Sequence, residues 1–126
     1  MLARASEPAR QGCGDFLAQI HKKPAHLIYI GCSYLPGRQG KPLSATYHVS
    51  GRFAAITEAY LIKSVGLNRL HRSCCQWDSA AQQFKDAQGQ EFSITMVSDA
   101  TTVTTRTEWS RISTFEVVVE TLTEDL

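Results

Sequence analysis

Two cysteines stand side by side, Cys74 and Cys75, and two more, Cys13 and Cys32, lie well upstream. Nothing else restricts the fold of this 126-residue chain so strongly. Four cysteines in a chain this short read as a disulfide framework, which forms and persists outside the reducing cytosol. Sequence alone leaves three connectivities open. A helix rising from Cys13 to His21 spans roughly 13 Å, and a strand returning over residues 27–32 spans roughly 17 Å. Cys13 and Cys32 therefore arrive at the same end. Either they pair with each other, or each pairs with one of the adjacent cysteines. Neighbouring residues of a strand point to opposite faces, so the second arrangement staples both sides of a sheet. A bond from Cys74 directly to Cys75 is sterically awkward. A metal site of His71, Cys74, Cys75 and one upstream cysteine is disfavoured too, because adjacent sulfurs on a strand diverge where zinc needs them to converge. No spacing brings a catalytic histidine to a thiol. The expectation is four disulfide-bonded cysteines, no metal and no cofactor.

The apolar pattern supplies the elements. Cys13, Phe16, Leu17 and Ile20 recur at helical spacing, with Asp15 in the first turn, Lys22 and Lys23 in the last, and Pro24 as the stop. Residues 27–32 make an apolar strand. A Gly/Pro loop over residues 36–42 leads to a second strand, with Ala45, Tyr47 and Val49 on one face. A second helix over residues 52–65 shows a stripe of Phe53, Ile56, Tyr60 and Ser64, broadened by Ala59 and Leu61, and ends on Gly66. A strand over residues 70–77 carries the cysteine pair. Residues 81–85 and 90–97 flank Asp86-Ala87-Gln88-Gly89 as a hairpin. Residues 101–112 stay open between helix and strand. A last strand over residues 114–122 puts Phe115, Val117 and Val119 on one face. The fold class is α+β: two helices packed on one mostly antiparallel sheet of five to six strands, disulfide-stabilised. It forms a single domain over residues 12–124. Length fits one domain, and an apolar content of 43% allows a real core.

Residues 1–11 show no apolar periodicity and read as a disordered lead-in. Ala3-Arg4-Ala5-Ser6 resembles a signal-peptidase site with no apolar segment before it, consistent with the remnant of a signal peptide. With the cysteines, this places the protein in the periplasm or outside the cell. No stretch approaches the roughly 18 apolar residues of a membrane span.

Net charge is +1, which gives no global pull toward nucleic acid. The charge is polarised, however. Residues 1–75 hold ten Lys/Arg and three Asp/Glu (+7), and residues 76–126 hold three Lys/Arg and nine Asp/Glu (−6). A basic half-surface paired in part with an acidic one is the plain reading; a surface that steers a charged protein is the sharper one.

No catalytic constellation is visible: the chain lacks a Gly-x-Ser-x-Gly elbow, a His-Glu-x-x-His helix and a phosphate-binding glycine loop. His21, His26, His48 and His71 read as surface or structural residues. Glu58 is expected to face solvent. Glu108 with Glu116 or Glu120 is the one acid pairing worth testing against a structure. Gly37-Arg38-Gln39-Gly40 reads as a basic hairpin loop. Arg38 and Lys41, with Trp77 and Trp109 as anchors if exposed, are the candidate partner-binding residues.

These residues carry a resemblance. Cys13-Gly14-Asp15-Phe16-Leu17, Lys23-Pro24 ahead of Leu27, Cys32, Ala45-Thr46-Tyr47-His48-Val49-Ser50-Gly51, Glu58-Ala59-Tyr60-Leu61, Cys74-Cys75-Gln76-Trp77 and Phe92-Ser93-Ile94-Thr95-Met96 resemble small exported bacterial proteins of domain of unknown function family 4952. The adjacent cysteines followed by Trp77 are its most specific part. The chain departs from that pattern at Gln76, where a glycine stands in the family. The resemblance implies export and paired cysteines, and it implies no activity.

The reading that fits best is a non-enzymatic exported protein-binding domain, most concretely an immunity-type inhibitor of a periplasm-acting toxin or a binder of another envelope protein. Its oligomeric state is open. The alternatives are a solitary envelope protein, structural or small-ligand-binding with a pocket between helix 2 and the sheet, and a hydrolase whose site is not visible in sequence.

Overall fold

The computed structural model describes residues 12–125. The expected lead-in and its signal-peptide-like string lie outside the described residues. In chain order the elements are α1 (Phe16–Gln19), β1 (Ile28–Tyr34), β2 (Leu43–Ser50), α2 (Gly51–Val65), β3 (His71–Ser73), β4 (Gln76–Asp78), β5 (Gln82–Lys85), β6 (Glu91–Ser98), a 3-10 helix η1 (Arg106–Arg111) and β7 (Thr114–Thr121).

Period-two alternation sets the two faces of the sheet. On β2, β6 and β7 one set of alternate side chains is buried: Ala45, Tyr47 and Val49; Phe92, Ile94 and Met96; Phe115, Val117 and Val119. The strands pair antiparallel in the order β1-β2-β7-β6-β4-β3, with β5 also on β6, beside β4. The register places Ala45 beside Val119 beside Ile94, and Tyr47 beside Val117 beside Met96. These rows form one continuous apolar face, covered by α1, α2 and η1. The other face carries Ser44, Thr46, His48, Ser93, Thr95, Glu116 and Glu120, and no helix among the described residues covers it. The α+β class and the antiparallel sheet are as expected, but seven strands replace five to six. The expected strand over residues 70–77 is two short strands with Cys74 and Cys75 as the turn between them.

The helices differ more from expectation. Cys13 is held by Cys32, and the Asp15 carboxylate caps the helix by accepting the Ala18 N–H at 3.1 Å. α1 therefore begins only at Phe16. It ends at Gln19, and His21 then adopts a left-handed φ of 61°. Lys22 and Lys23 lie beyond it. In α2 the buried side is Ala54, Thr57, Glu58, Leu61 and Val65, while Ile56 and Tyr60 of the expected stripe face outward. Gly51 explains the roll of the helix. A Cβ there would overlap the backbone oxygens of Trp109 and Ile112, so η1 packs directly on the side carrying Gly51 and Ala54. Gly66, as expected, closes the helix in the left-handed conformation, donating to the Ile62 carbonyl.

Glu58 is a further correction. It is 3% exposed rather than solvent-facing. It pairs with Arg106 and accepts the Leu70 N–H at 2.9 Å, while Arg106 donates to the Leu70 carbonyl at 3.2 Å and lies 4.3 Å above the Trp109 ring. A buried carboxylate is tolerated only when paired and hydrogen-bonded. The pair locks α2, η1 and the entry to β3 together.

Candidate protein-binding surface

All four cysteines are disulfide-bonded. Cys13 joins Cys32 with the Cα atoms 5.6 Å apart, one of the two arrangements expected. Cys74 joins Cys75, the arrangement expected least. The two form an exposed turn rather than a stretch of strand, so their side chains do not diverge.

The candidate partner-binding residues separate into two groups. Arg38 and Lys41 lie on the β1–β2 loop, and both are engaged. Arg38 donates two hydrogen bonds to Glu120, at 2.8 and 3.0 Å, and Lys41 pairs with Glu124 at 3.2 Å. Burial disfavours ionisation of Glu120, but Arg38 and the Ser44 hydroxyl outweigh it and hold the carboxyl below its ordinary pKa. The pairing of β2 with β7 thus brings basic N-terminal residues against acidic C-terminal ones. Trp77 and Trp109 are 6% and 2% exposed and meet edge to face at 5.4 Å. Their burial removes the condition for an anchor role. Trp77 instead donates from Nε1 to the Val103 carbonyl at 3.0 Å.

The acid pairing does not form. Glu108 sits on η1, on the covered side of the sheet, and pairs with Arg111; Glu116 and Glu120 project from the opposite face. His48 does meet a carboxylate, Glu116, at 3.2 Å. Both side chains are more than 40% exposed on the open face of the sheet, and neither lines the depression at Gln19–Lys22 or the one near Glu91 and Glu124. Among the described residues no three His, Cys, Asp or Glu side chains group as metal ligands.

One depression of about 460 Å³ lies between Gln19–Lys22 and the turn at Lys85–Gln88. Another of about 580 Å³ lies at the end of the sheet, near Arg38, Glu91, Glu120 and Glu124. The space between α2 and the sheet, where the ligand-binding alternative would need a pocket, is filled by Ala54, Leu61, Tyr47 and Val117.

The fold leaves apolar side chains open on β1, at Ile28, Ile30 and Tyr34, and on the outward side of α2. Ile56 is 65% exposed, and Tyr60 and Ile62 are each 38% exposed. Ala55 and Ala59 lie between them and leave room for close approach. Arg52 and Lys63, both exposed, stand near the two ends. The one acid of the helix, Glu58, is buried on the other side, so the charged residues that α2 itself places beside this face, Arg52 and Lys63, are both basic. Phe53 borders it, stacked on His26 with ring centroids 3.7 Å apart. Sequence reasoning found Phe53, Ile56 and Tyr60 as one stripe, without Ile62, and the helix turns Ile56 and Tyr60 to water. No sequence signal marked the side, because Glu58, the residue that would ordinarily mark the solvent face, is buried.

A family model for a domain of unknown function (DUF4952) matches residues 1–77. That span contains all four cysteines and the whole of α2, and it stops before β5, β6 and β7. No curated protein and no solved structure matches the chain.

Proposed function

The chain belongs to the DUF4952 family of domains of unknown function, and from that premise, which assigns no chemistry, we propose that it is a non-enzymatic, exported protein-binding domain. The observation that carries this reading is the outward face of α2, where Ile56, Tyr60 and Ile62 are exposed between Arg52 and Lys63. An amphipathic surface helix is expected to turn polar residues to water. This one turns apolar residues to water instead, as helices do when a partner groove receives them. The basic rim selects a partner whose apolar patch is bordered by acids. The concrete form is an inhibitor that docks α2 on a toxin acting in the periplasm and occludes its cleft. Two disulfides are compatible with that compartment. No helix among the described residues is long and apolar enough to cross a membrane.

The test is a pull-down of a secreted hydrolase encoded beside this chain, at low and moderate salt. A complex is expected with the native chain. Ile56→Glu should weaken it at least about tenfold without unfolding the domain, because an exposed hot-spot side chain carries binding energy rather than core packing. No complex at either salt, or one indifferent to Ile56→Glu, overturns the reading.

A further inference from the structure

Ser73 and Gln76 are the last paired residues of β3 and β4, so Cys74 and Cys75 are the two central residues of a two-residue hairpin loop. Such loops need positive φ at their first central position and usually take Gly, Asn or Asp there. Here Cys74 occupies it, with φ 48°, a region that costs a residue bearing a Cβ. The Cα atoms are 3.8 Å apart, the ordinary spacing of consecutive residues. Both cysteines are exposed. The bond encloses no intervening residue, so it removes little freedom from the unfolded chain. The hairpin has other anchors: the Trp77 side chain is buried, the Trp77 N–H reaches the Ser98 hydroxyl at 2.9 Å, and the Cys75 carbonyl accepts the Thr101 N–H at 2.7 Å.

We infer that Cys74–Cys75 is a thiol–disulfide exchange site for an external dithiol, and that Cys13–Cys32 is not. A thiolate of the dithiol attacks one exposed sulfur. The Cys74–Cys75 bond breaks, its electron pair leaves on the other cysteine as thiolate, and a mixed disulfide forms. The second thiolate of the dithiol then attacks its own sulfur in that mixed disulfide and releases the second cysteine. Two electrons and two protons pass to the pair, and the dithiol leaves as a cyclic disulfide. Labile, exchanging disulfides are the exposed and constrained ones. Cys13 is exposed as well, but its partner Cys32 is half-buried; Cys74–Cys75 is exposed at both cysteines, holds a residue at positive φ, and is not needed to keep β4 in the sheet.

The experiment is stepwise reduction of the folded, oxidised protein with dithiothreitol. Thiols are trapped by alkylation at each step and located by peptide mass mapping, with circular dichroism followed in parallel. Cys74 and Cys75 should open together at least about tenfold lower in reductant than Cys13 and Cys32, with the native spectrum retained. At that step one bridging trivalent aryl arsenical per molecule should bind, which requires two thiols in reach of one arsenic. Cys74→Ser with Cys75→Ser should abolish the early step and leave the later one. Simultaneous opening of both bonds, earlier opening of Cys13–Cys32, or loss of the spectrum at the first step would overturn the inference.

Discussion

Two corners of this molecule each hold a disulfide, and they are fixed in opposite ways. At the first, Cys13–Cys32 ties the start of α1 to β1 across a sequence separation of 19 residues. Polar contacts reinforce it: the Tyr47 hydroxyl donates to Asp15 at 2.9 Å and accepts the Leu17 N–H at 3.0 Å, and Lys23 pairs with the same carboxylate. The helix is four residues long, too short to stand by its own hydrogen bonds. A long-range covalent bond therefore backs the burial of Phe16 and Leu17 at this corner. At the second, the disulfide spans one peptide unit and joins nothing distant. The β3–β4 hairpin is held by packing, through Trp77 on Trp109 and through Glu58 and Arg106 on Leu70. What a disulfide does here follows from what it encloses.

The contrast can be broken from either side. The largest loss should follow Arg106→Ala, which leaves Glu58 buried without its cation and costs about 3–5 kcal/mol. Trp77→Ala should cost about as much by removing a buried ring. Denaturant midpoints read both, and a loss below about 1 kcal/mol for either would mean that packing does not hold the second corner. Replacing Cys13 and Cys32 by serine should cost about 3 kcal/mol, the chain-entropy value for a loop of this size. Removing the Asp15 carboxylate as Asp15→Ala should cost about 1–2 kcal/mol through the lost cap and the lost Tyr47 partner.

That carboxylate also sets a pH dependence. Burial opposes its ionisation, but Lys23, the Ala18 N–H and the Tyr47 hydroxyl outweigh it and lower its pKa below the ordinary value. A lowered carboxylate pKa gives stability that is complete above the unfolded value and is lost as pH falls through the folded one. Stability measured downward from about pH 5 should therefore fall less steeply in Asp15→Ala than in the native chain. Smallest of all, serines at both Cys74 and Cys75 should change stability by less than about 1 kcal/mol. Their visible effect should be faster hydrogen exchange at the Thr101 amide, which bonds the Cys75 carbonyl.

The sheet was largely legible because period two admits one reading. Ala45, Tyr47 and Val49, and likewise Phe92, Ile94 and Met96, alternate with polar neighbours, and a slip of one residue would bury the polar set. The Asp86–Gly89 turn was legible through Gly89, which adopts φ 86°. The cysteine hairpin was hidden because the two central positions of Ser73-Cys74-Cys75-Gln76 hold no Gly, Asn or Asp; the disulfide itself accompanies the turn. The roll of α2 was hidden because apolar residues line both sides of the helix at the same spacing. The contact that decides it, Gly51 against η1, joins segments about sixty residues apart in sequence. The proposed binding surface was therefore visible in the sequence as a stripe, while the side of the helix that faces water was not. Arg38 and Lys41 were located on the correct loop, while their acidic partners on and after β7 became evident only through the pairing of β2 with β7.

The claim that the two disulfides do different work rests on their connectivity, and a non-reducing peptide map reads it directly. Protein oxidised in its own compartment, digested without reduction, should yield one cross-linked pair of peptides containing Cys13 and Cys32. A single linear peptide should carry Cys74 and Cys75, two mass units lighter than its dithiol form. Cross-links from Cys13 or Cys32 to Cys74 or Cys75 would contradict the account and restore a staple between the N-terminal corner and the hairpin.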